Sequence, residues 1–250
     1  MSNTTLAFLL TTIAGFSTML GSVFIFFKVK KQEKMIAASL SFASGVMITV
    51  SFIDLIPEAN KLLDTIFLPF PSFLTVLIFI VIGILCSIFI DASLPVEQVK
   101  QSRGLYHIGV FSMIAIILHN IPEGIATFMA THENISLGIS LALAITFHNI
   151  PEGISISIPI YYSTKSKKKA FLYTLISSLS EPFGALLAFL FLSTIINDFI
   201  LGILFSIIAG IMLHIACYEL MPESLTYQHK KVSILFFFIG CILMGITILI

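Results

Sequence analysis

The sequence predicts an all-α integral membrane protein with eight transmembrane helices. Apolar residues fill 58% of the 250 positions and charged residues only 10%, and the mean hydropathy is +1.08. These values lie outside the range of soluble domains. The apolar residues form runs of about 20, the length needed to cross a bilayer. Because only short polar loops separate the runs, we expect residues 1–250 to form a single membrane domain.

The eight predicted spans follow one another closely along the chain. They cover residues 5–27, 35–58, 66–90, 105–129, 136–161, 170–195, 199–221 and 232–250. No basic residue precedes the first run and KVKK follows it, so we expect span 1 to remain in the protein rather than to be cleaved as a signal peptide. The cysteines are far apart within apolar runs, so we expect them to be buried and to form no disulfide.

Basic residues predict the orientation of the protein. All but one of the 13 lysines and arginines follow spans 1, 3, 5 or 7, and Lys61 is the exception. The positive-inside rule therefore places these loops in the cytoplasm and both termini outside the plasma membrane. Since the net charge is zero and no basic tail exists, the expected partner is the lipid bilayer and not a nucleic acid.

Acidic residues lie inside the spans or close to a span end, and the spans contain no lysine or arginine. The acids are Asp54, Glu58, Glu123, Glu152, Glu181 and Glu219. A carboxylate in hydrocarbon costs several kcal/mol unless it is protonated or meets a cation. One interpretation is that each acid is simply protonated or hydrogen-bonded, and the other is that the acids bind protons or metal ions.

The motif HNIPEG occurs twice, at residues 119–124 and 148–153. Its histidine and glutamate are four residues apart, so they share one helix face. An imidazole nitrogen with carboxylate oxygens suits zinc, iron(II) or manganese(II) better than calcium or magnesium. Pro122 and Pro151 each remove a backbone donor, which predicts broken helices in mid-membrane, a mark of transport sites.

Distances along the chain predict that the two motifs face each other. Across a turn centred near residue 135, His119 is level with Glu152, and Glu123 is level with His148. The same argument places Glu181 level with Glu152. The side chains expected to converge are His119, Asn120, Glu123, His148, Asn149, Glu152 and Glu181. Such a set is sufficient for two adjacent divalent cations.

A second pair of similar segments has opposite directions in the membrane. Residues 54–59 read DLIPEA and residues 219–224 read ELMPES. Inverted repeats of this kind place equivalent acids at opposite faces. We therefore expect Asp54 and Glu58 at the entrance and Glu219 and Glu223 at the exit, with His214 beside the exit. The alternative is that two unrelated helices both end at a proline.

The remaining histidines have no partner at helical spacing. They are His107, His132 and His229. We expect all three to be surface or interfacial residues.

These motifs resemble the ZIP (Zrt/Irt-like protein) family of divalent-metal transporters, and most closely its short bacterial branch, the zinc and iron permeases of the ZupT type. The twin HNIPEG motifs and EPFG at residues 181–184 carry the resemblance, which extends over nearly the whole chain. It implies a 3+2+3 helix arrangement with inverted repeats around a central metal site, an elevator-like movement, and flow of metal into the cytoplasm. A homodimer is one arrangement that stays open. Many relatives have a histidine-rich loop between spans 3 and 4, and this chain has none.

The resemblance also implies which residues hold each ion of a binuclear site. One ion would be held by His119, Glu123, His148 and Glu152. The second would be held by Asn120, Asn149 and Glu181, with Glu123 and Glu152 shared between both.

The predicted function is uptake of divalent transition-metal ions, with Zn²⁺, Fe²⁺ and Mn²⁺ as substrates and no cofactor. One alternative is a membrane-embedded zinc-dependent hydrolase, but the HExxH signature is absent. Another is a proton-coupled carrier of organic solutes, for which no matching group appears in the sequence. We therefore expect a transporter and not an enzyme.

Overall fold

The computed structural model describes residues 2–27, 31–93, 103–191 and 197–248, and all regular structure in these ranges is helical. Eight helical runs there are long and apolar enough to cross a membrane, which confirms the predicted fold class. We call them spans 1 to 8. They are Asn3–Phe26, Gln32–Asp64, Pro69–Ser93, Gly104–His132, Ile135–Thr164, Lys167–Phe191, Asp198–Thr226 and Lys230–Thr247. Lys28, Lys30 and Lys100, which contribute to the predicted orientation, lie outside the described residues.

Four of the spans are single α-helices. Their bounds are Pro69–Ser93, Arg103–Glu133, Ile135–Thr164 and Lys230–Ile248. Span 1 is α-helical over Asn3–Gly21 and ends in a 3₁₀ segment, Ser22–Phe26. Span 6 consists of two helices, Lys167–Ser178 and Ser180–Phe191.

Spans 2 and 7 each contain a π-helical segment. Span 2 runs as Gln32–Val50, the π segment Ser51–Leu55 and Ile56–Asp64. Span 7 runs as Asp198–His214, the π segment Ile215–Leu220 and Met221–Thr226. Each π segment overlaps the start of one of the matching motifs and contains the first acid of that motif.

Spans 2 and 7 extend beyond their predicted ends at residues 58 and 221. Pro57 and Pro222 lie in the first turn of a new α-helical segment, where a missing N–H costs least. The prolines therefore begin the last segment of each span instead of ending the span.

The prediction that proline breaks spans 4 and 5 is wrong. Both helices continue through Pro122 and Pro151, and span 5 also contains Pro159. A proline removes one hydrogen bond, and neighbouring spans can hold the rest of the helix in place. The interruption lies instead in span 6, at Leu179, two residues before Glu181.

The spans pack in two groups. Spans 1, 4, 5 and 6, the first helix group, pack mainly against one another, and spans 2, 3, 7 and 8 form the second helix group. Glycines allow the closest contacts in each group. A Cβ on Gly124 would overlap the carbonyl of Glu181, and one on Gly83 would overlap the carbonyl of Ile207. The division of the chain into 3+2+3 helices stays a prediction.

The outer surface of the bundle is apolar, as expected for contact with lipid. Span 3 exposes Phe70 and Phe89, among other large side chains. All three cysteines are free thiols, and Cys86 and Cys217 are exposed while Cys241 is half-buried. The prediction that they are buried is therefore wrong, because lipid is as apolar as the bundle interior and a thiol is compatible with either.

Candidate metal centre

The seven side chains predicted to converge lie on spans 4, 5 and 6, inside the first helix group. Each is at most 4% exposed. Within the part of the chain that the structure describes, no lysine or arginine pairs with any of their carboxylates. Three acids are therefore enclosed with histidines and amides as their polar neighbours, and this arrangement favours a cation.

Two histidines and two glutamates form the tightest part of this centre. Nε2 of His148 is 2.7 Å from Oε1 of Glu123, and Nε2 of His119 is 3.1 Å from the same oxygen. Nε2 of His119 is also 3.4 Å from Oε1 of Glu152. The spacing argument placed these residues at matching depths, and the structure brings them together across spans 4 and 5. Metal-ligand atoms of His119, Glu123 and His148 lie within 4.8 Å of one another.

Asn149 and Glu181 form the adjoining part of the centre. Nδ2 of Asn149 donates to Oε2 of Glu181 at 2.8 Å and to the carbonyl of Ala14 on span 1 at 2.9 Å. Glu181 lies within electrostatic range of Glu123, His148 and Glu152. Asn149, which directly follows His148 in the chain, therefore connects the carboxylate of Glu181 to this part of the centre.

Asn120 is directed toward span 6. Its Nδ2 donates to the carbonyl of Ser177 at 3.5 Å. This bond uses one of the two N–H donors of the amide and leaves its oxygen available.

Several buried acceptor oxygens of the centre have no hydrogen-bond partner among the described residues. They are Oδ1 of Asn120 and Asn149, Oε2 of Glu123, Oε1 and Oε2 of Glu152, and Oε1 of Glu181. A buried polar atom without a partner costs about 1–3 kcal/mol, so such a concentration is unusual in a folded protein. Carbonyl and carboxylate oxygens are also metal ligands. The observation fits a site that binds cations.

Small residues on span 1, and on span 5 where it meets span 1, permit the close packing around this centre. A Cβ on Gly15 would lie 2.9 Å from Cβ of Glu181, and a Cβ on Gly153 would overlap the carbonyl of Thr18. Ser17 donates to the carbonyl of Thr146 at 3.1 Å. Span 1 thus holds spans 5 and 6 in place although it contributes no predicted ligand.

The predicted entrance residues lie on span 2. Asp54 is half-buried and within electrostatic range of His148 and Glu123. Glu58 is one turn away and lies 3.2 Å from Nζ of Lys61, an exposed ion pair that contributes little to stability. Asp54 is therefore close enough to the centre to interact with it electrostatically.

The predicted exit residues lie on span 7. Glu219 and Glu223 are half-buried and line a cavity of about 450 Å³. Tyr227 donates to Glu223 at 3.3 Å. His214 is buried, and its Nδ1 is 3.0 Å from Oγ of Ser87 on span 3.

His107 is partly exposed, as expected for an interfacial histidine, and it also has a partner on another span. Its Nε2 is 3.4 Å from Oδ1 of Asp91 on span 3, and both residues line the cavity beside Glu219. Sequence reasoning missed Asp91. Asp91 lies near the end of span 3 and His107 near the start of span 4, on either side of the connection between these spans.

The other two histidines lie away from this cavity. His132 packs against the ring of Phe128. His229 lies in the short connection between spans 7 and 8.

Comparison with known proteins gives one consistent result. Residues 95–248 match the family model described as ZIP zinc transporter. A protein named zinc transporter ZupT from Clostridium perfringens is 39% identical, over 100% of this chain and 97% of the relative. Proteins of the same name from Streptococcus mutans and Oceanobacillus iheyensis are 40% and 38% identical, over 97% and 100% of this chain and 96% and 99% of their own lengths.

Proposed function

Because the chain belongs to the ZIP zinc transporter family, we propose that it takes up divalent transition-metal ions through the centre formed by spans 4, 5 and 6. The observation that carries this proposal is the enclosure of Glu123, Glu152 and Glu181 with His119 and His148. Carboxylates buried without a lysine or arginine partner favour a cation from elsewhere. A metal ion that enters the centre provides this positive charge. The ion is the transported substrate and not a cofactor.

We propose zinc as the main substrate, and iron(II) and manganese(II) as further substrates. The relatives are named for zinc. The donor set combines imidazole nitrogen with carboxylate and amide oxygen, which all three ions accept. The order of preference among them depends on availability as well as on ligand type.

We assign two ion positions to the centre. The first has His119, Glu123, His148 and Glu152 as ligands, and the contacts of 2.7 to 3.4 Å among these four support it. The second is formed by three further residues, together with the carboxylates shared with the first. These residues are Asn120, Asn149 and Glu181. The free oxygens of both amides support the second position.

The proposed path runs from Asp54 and Glu58 through the centre to Glu219 and Glu223. Asp54 is within electrostatic range of the centre, which supports its place at the entrance. The distribution of basic residues supports uptake into the cytoplasm, with both termini outside the plasma membrane.

All the proposed ligands belong to the first helix group. The helices of that group pack closely where one of them has a glycine. For example, Gly124 on span 4 packs against the backbone carbonyl of Glu181 on span 6. This close packing supports movement of the first helix group as one rigid body that carries the bound ions past the second group. Such a movement is the elevator-like transport expected from the sequence.

Purified protein in liposomes tests this function. We expect external zinc to fill vesicles that contain a zinc-sensitive dye, and Glu152→Ala to abolish the signal. The hydrolase interpretation has no support in the comparisons, and it predicts the opposite result, vesicles that take up no metal and a protein that cleaves a peptide or amide. Organic-solute transport that does not respond to metal would also contradict the proposal.

A further inference from the structure

Four exposed lysines lie together where span 5 ends and span 6 begins. They are Lys165, Lys167, Lys168 and Lys169, and we call them the lysine patch. The patch lies at the end of the bundle that the sequence predicts to be cytoplasmic. None of its residues belongs to the central seven or to the proposed path of the metal.

Contacts with neighbouring spans fix the position of two of these lysines. Nζ of Lys167 is 4.8 Å from the ring centre of Phe26 at the end of span 1. Nζ of Lys165 is 5.2 Å from the ring centre of Tyr162 on span 5, and it donates to Oε1 of Gln32 at the start of span 2 at 3.5 Å. Residues of four spans therefore meet at the patch.

The backbone of Lys165 is unusual. This residue ends span 5 with a φ of 54°, in the left-handed region. Glycine is the usual residue at such a helix end, because a Cβ is disfavoured there. Within the described ranges, Lys165 is the only residue other than glycine with a positive φ. A lysine at this position costs stability relative to glycine, which is expected where the side chain has a binding function.

The positive charge of the patch is not balanced by the protein. Three of the lysines lie in the first turn of the helix Lys167–Ser178, at the positive end of the helix dipole, and that turn contains no acid. None of the four lysines forms an ion pair among the described residues. Glu33, the acid next to Gln32, is instead within electrostatic range of Tyr227 after span 7. An anion bound at the patch would therefore offset charge that the protein leaves uncompensated.

The outer surface next to the patch is aromatic. Phe24, Phe26 and Phe27 at the end of span 1 are exposed, and so are Phe171 and Leu172, which follow the patch in span 6. A phospholipid has a phosphate and acyl chains at this depth of the membrane, so it can contact the lysines and the apolar side chains together. A free phosphate can use only the lysines.

We infer that the lysine patch binds the headgroup of an anionic phospholipid, whose acyl chains pack on the exposed phenylalanines of span 1. Clusters of about four to eight basic residues directly beside the cytoplasmic end of a span are typical of anionic-lipid recognition. An ammonium group has three N–H donors, so Lys165 can donate to a phosphate oxygen as well as to Gln32.

Native mass spectrometry of the full-length protein in detergent tests the site without any transport measurement. The protein is titrated with phosphatidylglycerol, which has an anionic headgroup, and separately with phosphatidylcholine, which has a headgroup of zero net charge. Phosphatidylglycerol should bind about tenfold more tightly or better. Equal affinities for the two lipids would overturn the inference.

The double variant Lys165→Gly/Lys167→Gln removes the two ammonium groups that neighbouring spans hold in place. It should weaken phosphatidylglycerol binding about 30-fold, the change expected for two lysines near a charged surface, and leave phosphatidylcholine binding unchanged. Glycine adopts the φ of Lys165 freely, so Lys165→Gly alone should melt at the same temperature as the parent or higher. Unchanged phosphatidylglycerol binding in the folded double variant would contradict the assignment.

Lys230→Gln/Lys231→Gln is the matched control, because it removes two charges at the start of span 8, on the same side of the membrane. It should weaken phosphatidylglycerol binding by about twofold or less, since salt screens exposed charges. A loss as large as that of the first double variant would show a response to total charge and not to the patch. Displacement of the lipid by excess inorganic phosphate would show that the patch binds free phosphate, and the inference would then be wrong.

Discussion

The side-chain amide of Asn149 on span 5 donates a 2.8 Å hydrogen bond to Oε2 of Glu181 on span 6. This bond stabilises one oxygen of Glu181, whereas neither oxygen of Glu152 has a hydrogen-bond partner among the described residues. The two glutamates are therefore not equivalent, although both are buried in the same centre. Their difference leads to the first prediction.

Glu152→Ala should reduce zinc uptake by more than about 100-fold, since loss of an outer-shell partner alone costs about 10–100-fold. The change removes a carboxylate proposed to serve both ion positions. Glu181→Ala should cost about tenfold or less, with altered metal preference, because the four ligands of the first position remain. Metal-to-protein ratios and uptake rates of the two purified variants check this. The same zinc content in Glu152→Ala and the parent would refute the proposed centre.

Neutralising the entrance acids should raise the half-saturating zinc concentration with little change in maximal rate. Asp54→Asn should have the larger effect, because Asp54 is within electrostatic range of the centre, whereas Glu58 is paired with Lys61. Uptake measured over a range of zinc concentrations checks this. Asp64→Asn is the control, an exposed acid at the end of the same span that accepts a hydrogen bond from Asn60. Loss of uptake at saturating zinc in folded Asp54→Asn would show that Asp54 is more than an entrance.

Gly83 on span 3 should be required for close packing against span 7. Gly83→Ala would place a methyl group on the carbonyl of Ile207, so we expect destabilisation of about 1–3 kcal/mol. Gly245→Ala is the control, because a Cβ there meets no atom within 4 Å. Thermal unfolding in detergent checks the pair. Equal melting temperatures would mean that spans 3 and 7 can separate at little cost.

The orientation can be tested with single cysteines. Lys168→Cys, at the start of span 6, should resist an impermeant thiol reagent in intact cells, whereas Asn134→Cys, between spans 4 and 5, should react. The three natural cysteines must first be replaced, since two of them are exposed on the outer surface of the bundle. The reverse labelling pattern would invert the topology and with it the proposed direction of transport.

The number of spans and the contacts of the central histidines could be predicted from sequence. Hydropathy defines the spans, and the constant rise of an α-helix fixes which residues are level across a hairpin. The positions of the prolines did not predict where the helices are interrupted. They indicate a break in spans 4 and 5, but packing holds those helices intact, and the interruption lies at Leu179.

The division into two helix groups could not be predicted in the same way. In lipid, helices choose partners through close contacts of small residues and not through hydrophobicity. Gly83 and Gly124 look alike in sequence, and only the structure shows that they contact Ile207 and Glu181, respectively. The partner of His107 could not be predicted from helical spacing, because Asp91 is on another span.

The π segments at Ser51–Leu55 and Ile215–Leu220 affect how the chain tolerates insertions and deletions. In an α-helix, removal of one residue rotates everything beyond it by about 100°. A π segment already contains an additional residue, so a deletion there can restore ordinary helix and leave the rest of the span facing as before. Spans 2 and 7 can therefore each lose one residue within these segments and keep Glu58 and Glu223 directed as they are. A deletion in the straight part of either span would turn these acids away.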